Sequence, residues 1–274
     1  MGSRLSGLLL ASHPAPTVAV TTLGTVLFVS AGNPGRTCLI GASALLTGQL
    51  SIGWSNDLID RRRDRQAGRA DKPLATGTLD AGLLRRACLL AVLLTVPASL
   101  GLGVRAGLLH LAAVSAGWAY NLGLKSRPVS PLPYLLAFGA LPAVATLALP
   151  TPRWPPAWIV LAAALIGAAA HFANVLPDLA DDLAAGVRGL PQRLGLAPAA
   201  VLAGLLTLLA TGLVLPHDGP AIATAVLLLV LGLVGYGLYA CLLRGRPAVA
   251  FGSIMASAAC AVGLLAGSGV LGRG

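Results

Sequence analysis

Asn56-Asp57-Leu58-Ile59-Asp60-Arg61-Arg62-Arg63-Asp64 is the stretch on which the reading of this chain turns. A second stretch, Asn174-Val175-Leu176-Pro177-Asp178-Leu179-Ala180-Asp181-Asp182, follows 118 positions later. All nine acidic side chains are aspartates; six lie in these two stretches, and Asp71 and Asp80 lie in the connection after the first. On a helix Asn56, Asp60 and Asp64 fall at i, i+4 and i+8 with Asp57 adjacent, so their oxygens line one stripe. Asn174, Asp178 and Asp182 repeat that stripe, with Asp181 beside it. Like charges at this spacing repel by about 0.2–0.5 kcal/mol per pair, so two facing stripes need a cation. Magnesium favours carboxylate, amide and phosphate oxygens and keeps several waters, which makes aspartate stripes and a diphosphate a chemically sensible cage. Simple neutralisation by Arg61, Arg62, Arg63 and Arg65 would explain one stripe and not its repeat.

Around these stretches the chain is apolar. Only 10% of its 274 residues are charged, 56% are hydrophobic and the mean hydropathy is +0.83, a composition that belongs to all-α polytopic membrane proteins. A spanning helix needs roughly 20 largely apolar residues, and nine segments qualify: about 15–31, 38–56, 83–103, 105–122, 132–149, 156–176, 197–216, 220–243 and 248–270. Cys38, Cys88, Cys241 and Cys260 sit singly in these segments with no CxxC pairing, as small packing residues do. The segment through Pro16 reads as a membrane-surface lead-in rather than a cleaved signal.

With nine spans, fifteen basic residues fall on one side: Arg4, Arg61, Arg62, Arg63, Arg65, Arg69, Lys72, Arg85, Arg86, Lys125, Arg127, Arg188, Arg193, Arg244 and Arg246. Four, Arg36, Arg105, Arg153 and Arg273, fall on the other. Basic loops stay cytoplasmic, so the expected orientation puts both Asp stretches at the cytoplasmic face, in a bacterial-type inner membrane. The net charge of +10 is then a property of topology and anionic lipid, and nucleic-acid binding is excluded for want of a soluble basic domain.

Offsetting the chain by 118 positions aligns Asn56 with Asn174, Leu58 with Leu176, Asp60 with Asp178, Asp64 with Asp182, Ala67 with Ala185, Gly68 with Gly186, Pro73 with Pro191 and Gly77 with Gly195. The expectation is one domain over 1–274 built from a duplicated four-helix unit, with halves at about 15–122 and 132–243 and an added helix at 248–270. The connections 57–82 and 177–196 are long and rich in Gly and Pro, and are expected to form ordered loops or short helices.

The first stretch, NDxxDxxxD followed by Arg69, Lys72, Pro73 and Leu74, resembles the first signature of the UbiA superfamily of intramembrane prenyltransferases. Asp178, Asp182 and Gly186 resemble its second, DxxxD with a following glycine. Two departures stand out: Asn174 where the family often has aspartate, and Tyr120-Asn121-Leu122-Gly123-Leu124-Lys125 at the end of the fourth span. The resemblance implies a helical ring opening to lipid, Mg2+, and an isoprenoid diphosphate such as the geranyl, farnesyl or geranylgeranyl compound.

On that footing Asn56, Asp57, Asp60, Asp64, Asn174, Asp178 and Asp182 are candidate metal ligands, and Asp60, Asp64, Asp178 and Asp182 the catalytic core. Arg69, Lys72, Lys125, Arg127, Arg188 and Arg193 are candidates to hold the leaving diphosphate. Trp54, Trp118, Tyr120, Phe138, His171 and Phe172 are candidates for the prenyl pocket, where aromatic faces stabilise an allylic cation, and His171 could also order a ligand or act as a base. His13, His110 and His217 show no partner. The expected reaction is prenyl transfer to an acceptor, aromatic by expectation. A terpene cyclase of the same superfamily, needing no acceptor, is the alternative; a cation-coupled transporter is a further one.

Overall fold

The computed structural model describes residues 2–215 and 220–272; His217 lies outside them. The described residues form helices α1 (Gly2–Ala11), α2 (Pro14–Ser30), α3 (Gly35–Gln66), α4 (Pro73–Thr76), α5 (Ala81–Leu100), α6 (Val104–Leu122), α7 (Leu132–Leu147), α8 (Ala157–Val175), α9 (Leu179–Ala184), α10 (Leu190–Leu194), α11 (Leu196–Val214), α12 (Pro220–Arg244) and α13 (Pro247–Gly267). Short 3-10 turns occupy Leu124–Ser126 and Leu176–Asp178.

The long helices fall where the apolar segments lie. Six of the described helical segments are long and apolar enough to cross a membrane by length and composition: Gly35–Gln66, Ala81–Leu100, Ala157–Ala184, Leu196–Val214, Ala221–Arg244 and Pro247–Gly267. Pro14–Ser30 and Leu132–Leu147 are apolar but shorter. The chain is an integral membrane protein.

These helices close a ring. In order α2, α3, α5, α6, α7, α8, α11, α12 and α13 each pack on the next, and α13 returns to α2. At one end of the ring Leu27, Phe28, Leu45, Val144, Ile159 and Val214 belong to a single buried apolar cluster. The aspartate stretches lie at the opposite end, because the C-termini of α3 and α8 point there. Dense apolar packing at one end thus leaves the polar residues to assemble at the other.

α3 runs ten residues beyond the expected span end at 56 and carries the whole first stretch on one uninterrupted helix. No proline lies between Gly35 and Gln66, and the helix stops only before Gly68, which takes φ 65°. α8 behaves differently. Pro177 lacks an N–H and crowds the preceding turn, so α8 ends at Val175 and tightens into the 3-10 turn before α9 resumes. The second stretch is therefore not the regular i, i+4, i+8 stripe expected of it.

Candidate active site

Asn121 of α6 fixes the helix that carries the first stretch. Its Nδ2 donates to the Ile52 carbonyl at 2.8 Å and to Ser55 Oγ at 2.9 Å, while its Oδ1 accepts from Asn56 Nδ2 at 3.2 Å. Asn56 also donates to Asp60 Oδ2 at 3.2 Å. Gly123 ends α6 and the next turn swings Lys125 inward, where its Nζ donates to Asp60 Oδ2. Asp60 Oδ1 accepts from Arg63 Nη1 at 3.1 Å. Lys125 is only 7% exposed, and burial pulls its pKa below the usual lysine value while the Asp60 carboxylate opposes that shift.

Asp57 faces a different set of partners. Its Oδ1 accepts from Lys72 Nζ at 2.7 Å and meets His13 Nε2 at 3.0 Å; Lys72 Nζ also lies 3.0 Å from His13 Nε2. His13, expected to be unpartnered, thus belongs to the site, and among the described residues it is the one non-glycine with positive φ, 53°. His110 has a partner too, Ser99 Oγ, 2.8 Å from its Nδ1. The half-buried Asp64 side chain makes no hydrogen bond among the described residues.

The second stretch is held from other directions. Asp182 Oδ2 accepts from Gln192 Nε2 of α10 at 2.8 Å. Asp178 Oδ1 lies 3.4 Å from Arg69 Nη1, and the same guanidinium donates from Nε and Nη2 to both oxygens of Asp71, at 2.9 and 2.8 Å. Arg69 therefore ties the loop after the first stretch to the second. Its hydrogen bonds pull the Asp71 carboxyl down to about 2. Asn174 and Asp181 are exposed and unpartnered among the described residues. Of the six basic residues singled out from the sequence, Arg69, Lys72 and Lys125 meet the aspartates. Arg127, Arg188 and Arg193 are exposed and contact none of them; Arg193 instead donates to the Arg188 carbonyl at 2.8 Å.

Behind this polar end stands an aromatic wall. Tyr134, which the sequence reading missed, has its ring 5.3 Å from Tyr120, 4.9 Å from His171 and 6.3 Å from Phe138. Phe172 is 5.7 Å from His171. The wall closes because position 167 is glycine: a Cβ there would lie 2.5 Å from the Tyr134 carbonyl and 2.6 Å from Phe138 Cβ. His171 Nε2 lies 3.0 Å from Ser130 Oγ, which also accepts from the Leu190 N–H. Its Nδ1 is buried with no partner. From Phe138 a narrow apolar cleft continues into the ring, lined by Val20, Leu27, Pro142, Ile166 and Leu265 among others.

Two pocket candidates belong elsewhere. Trp54 donates to the Leu8 carbonyl at 2.9 Å and packs against α1 and α4, and Trp118 donates to Ser51 Oγ at 3.2 Å between α3 and α6. Both are tryptophans whose N–H finds a partner in a helix contact rather than in the wall. Of the residues the sequence reading passed over, Asn121 carried a usable signal, a polar side chain in an apolar span. Tyr134, Ser130, Gln192 and His13 carried none.

Among the described residues no three His, Cys, Asp or Glu side chains converge on one point. The arrangement is an oxygen-lined, cation-rich mouth over an apolar cleft, suited to an anionic head group with a hydrocarbon tail. The profile of the UbiA prenyltransferase family matches residues 5–258. The chain belongs to that family. Among solved structures it is similar to the apo form of a UbiA homologue from Aeropyrum pernix, with TM-score 0.74, 18% identity, and 91% of this chain and 96% of that one covered. It is also similar to a UbiA homologue from Archaeoglobus fulgidus bound to GPP and Mg2+, with TM-score 0.70, 17% identity, and 94% and 99% covered. A digeranylgeranylglyceryl phosphate synthase matches with TM-score 0.62, 16% identity and 99% of both chains covered. A search of curated proteins gave no match.

Proposed function

We propose that this chain is a magnesium-dependent membrane enzyme that ionises an isoprenoid diphosphate and transfers the prenyl group to an acceptor, an aromatic one in the first instance. One observation carries the reading: Arg63 of α3, Arg69 and Lys72 of the α3–α4 connection and Lys125 of the turn after α6 all meet aspartates at the polar end of the ring, beside the aromatic wall. Solved UbiA homologues bound to GPP with Mg2+ and to DMAPP with Mg2+ share the fold. The bias of basic residues supports a cytoplasmic mouth in a bacterial-type inner membrane.

The donor set suits magnesium. Every candidate ligand is an oxygen, and Asp64 and Asn174 keep theirs unpartnered among the described residues. No cage of three carboxylates is required, since magnesium takes one or two together with waters and substrate phosphate oxygens. The ligands would be drawn from Asn56, Asp60, Asp64, Asn174, Asp178 and Asp182, and the metal would neutralise charge growing on the departing diphosphate. Lys125, Lys72 and Arg69 bind that diphosphate and favour the charge-separated state over the intact ester. Phe138 lines the cleft and Tyr134 and Tyr120 continue the ring contacts from it toward the polar end, each aromatic face able to contribute about 0.5–2 kcal/mol to a cation held over it. The apolar cleft binds the tail and keeps water from the cation.

A second reading rests on one fact: two of the four tyrosines and two of the four phenylalanines are gathered in this wall. Such a lining could steer a cation through ring closure, making the enzyme a cyclase that needs no acceptor. A cation-coupled transporter has less support, because the described aspartates of both stretches sit at helix ends rather than mid-span.

The test supplies purified protein with geranyl, farnesyl and geranylgeranyl diphosphates and Mg2+, first without and then with an aromatic acceptor, and follows diphosphate release and organic products. Transfer requires product only when acceptor is present. Cyclic hydrocarbon from the diphosphate alone selects the cyclase, and no Mg2+-dependent diphosphate release under any condition rejects both.

A further inference from the structure

The first stretch contains one acidic residue that its counterpart lacks. At the 118-position offset Asn56, Asp60 and Asp64 meet Asn174, Asp178 and Asp182, but Asp57 meets Val175. Lys72, the partner of Asp57, meets Leu190. An ion pair in one half thus stands where the other half has two apolar residues, so the pair is present or absent as a unit. Val175 is buried, an apolar side chain at the position where Asp57 carries a charge.

The geometry of Asp57 agrees. Its side chain is 1% exposed, Oδ1 is shared by Lys72 and His13, and Oδ2 is buried with no hydrogen-bond partner. A hydrated magnesium ion needs room and approach that this carboxylate does not offer. Asp64, by contrast, keeps a half-buried carboxylate free of partners among the described residues. His13 reaches the pair from the joint between α1 and α2, where a left-handed backbone aims its ring at Asp57. Holding a bulky residue in that region costs free energy and persists only where surrounding contacts demand it. Ser12, next to it, is pinned by Thr17 Oγ1, which donates to its carbonyl at 2.7 Å, and Gly53 of α3 packs so closely that a Cβ would lie 2.5 Å from that carbonyl.

We infer that Asp57 is not a metal ligand but a positioning residue: with His13 it forms a buried anionic seat that aims Lys72 at the substrate diphosphate. This rests on the reading of the site as a prenyl-diphosphate site. The N-terminal α1–α2 joint then becomes part of substrate binding, and Lys72 enters the reaction already desolvated and oriented, so less of its side-chain freedom is lost on binding.

The full-length protein in detergent tests this with geranyl thiolodiphosphate, a sulfur-bridged analogue that resists ionisation, and with Mn2+ followed by electron paramagnetic resonance. In Asp57→Asn, Mn2+ binding in the presence of the analogue is expected to match wild type. Analogue affinity should fall about tenfold, as for a weakened charge-assisted contact, and KM for the prenyl diphosphate should rise with no change in the Mg2+ concentration giving half-maximal rate. Lys72→Met should show the same loss, and combining the two should add little. The exchange Asp57→Val with Lys72→Leu, which copies the other half, should keep the unfolding temperature of wild type and still lose the affinity, separating positioning from folding. Loss of Mn2+ binding in Asp57→Asn while Lys72→Met keeps it would make Asp57 a ligand and overturn the inference. Additive losses, or wild-type affinity in Asp57→Asn, would overturn it too while leaving the proposed function intact. A wild-type protein that binds neither probe would bring down both.

Discussion

The two aspartate stretches share their spacing and differ in their backbone. The first continues α3 without a break, whereas the second passes through a 3-10 turn at Pro177 before its last two aspartates. Beyond them the connections agree again. Gly68 and Gly186 take φ 65° and 78°, Gly77 and Gly195 take 79° and 86°, and Pro73 and Pro191 each sit in the first turn of a short helix, α4 and α10. Gly77 and Gly195 nevertheless part in ψ, 4° against 173°, so a shared residue does not by itself set a shared backbone. The side chains of the two stretches find different partners as well: Lys72, Lys125 and Arg63 for the first stretch, Arg69 and Gln192 for the second. A shared pattern supplies the oxygens; Pro177 and the unshared residues decide where the second set stands and what each oxygen holds.

The largest expected effect contrasts Asp60 with Asp178. Asp60→Asn and Asp178→Asn should each lower Mg2+-dependent diphosphate release by about 10²-fold or more, as loss of transition-state electrostatics does. Their stabilities should part, however. Asp60→Ala strands the buried Lys125 and should cost roughly 3–5 kcal/mol, while Asp178→Ala removes a half-exposed partner of Arg69 and should cost under about 1 kcal/mol. Unfolding midpoints in detergent measure both, and equal losses would break the contrast between the stretches.

Next comes Pro177→Ala. Restoring an N–H in this turn lets α8 run on as α3 does and turns Asp178 about the helix axis. Activity should drop about tenfold with the unfolding temperature held or raised. Unchanged activity would mean that the tightened turn plays no part in aiming Asp178.

Smaller still are the paired glycines. Gly68→Ala and Gly186→Ala each force a Cβ into left-handed backbone at about 1–2 kcal/mol, and matching losses would support treating the two positions as equivalent. Smallest is a pH effect confined to the first connection, because Gly189 occupies the offset position of Asp71. The Asp71 carboxyl titrates near 2 in the folded chain, below its ordinary 3.8, so its bond to Arg69 is fully present above that ordinary value and is lost as pH falls through about 2. Asp71→Asn should therefore flatten the acid limb of the stability curve, measured by unfolding temperature across that range. Asp71 is exposed, so the change should be slight.

Much of this was legible in the sequence. Apolar segments of spanning length placed the long helices, and helical spacing put Asn56, Asp60 and Asp64 on one face, because both are properties of the chain's own period. Gly and Pro marked the connections. What the period could not supply was the partner of each face. Trp54 and Trp118 lie close in sequence to the aspartates and Tyr120, yet their indole N–H groups bond to Leu8 of α1 and Ser51 of α3. Tyr134 has no motif beside it, and enters the wall because α7 is pressed on α8 at Gly167. His13 and Asp57 are 44 residues apart and meet only because α1 folds against the end of α3. The sequence by itself determined the long helices, their apolar character and the first row of oxygens. The tertiary structure decided that Lys125 answers Asp60, that Arg69 reaches Asp178 and that Tyr134 joins the aromatic wall, since those contacts join segments whose separation along the chain carries no periodic signal.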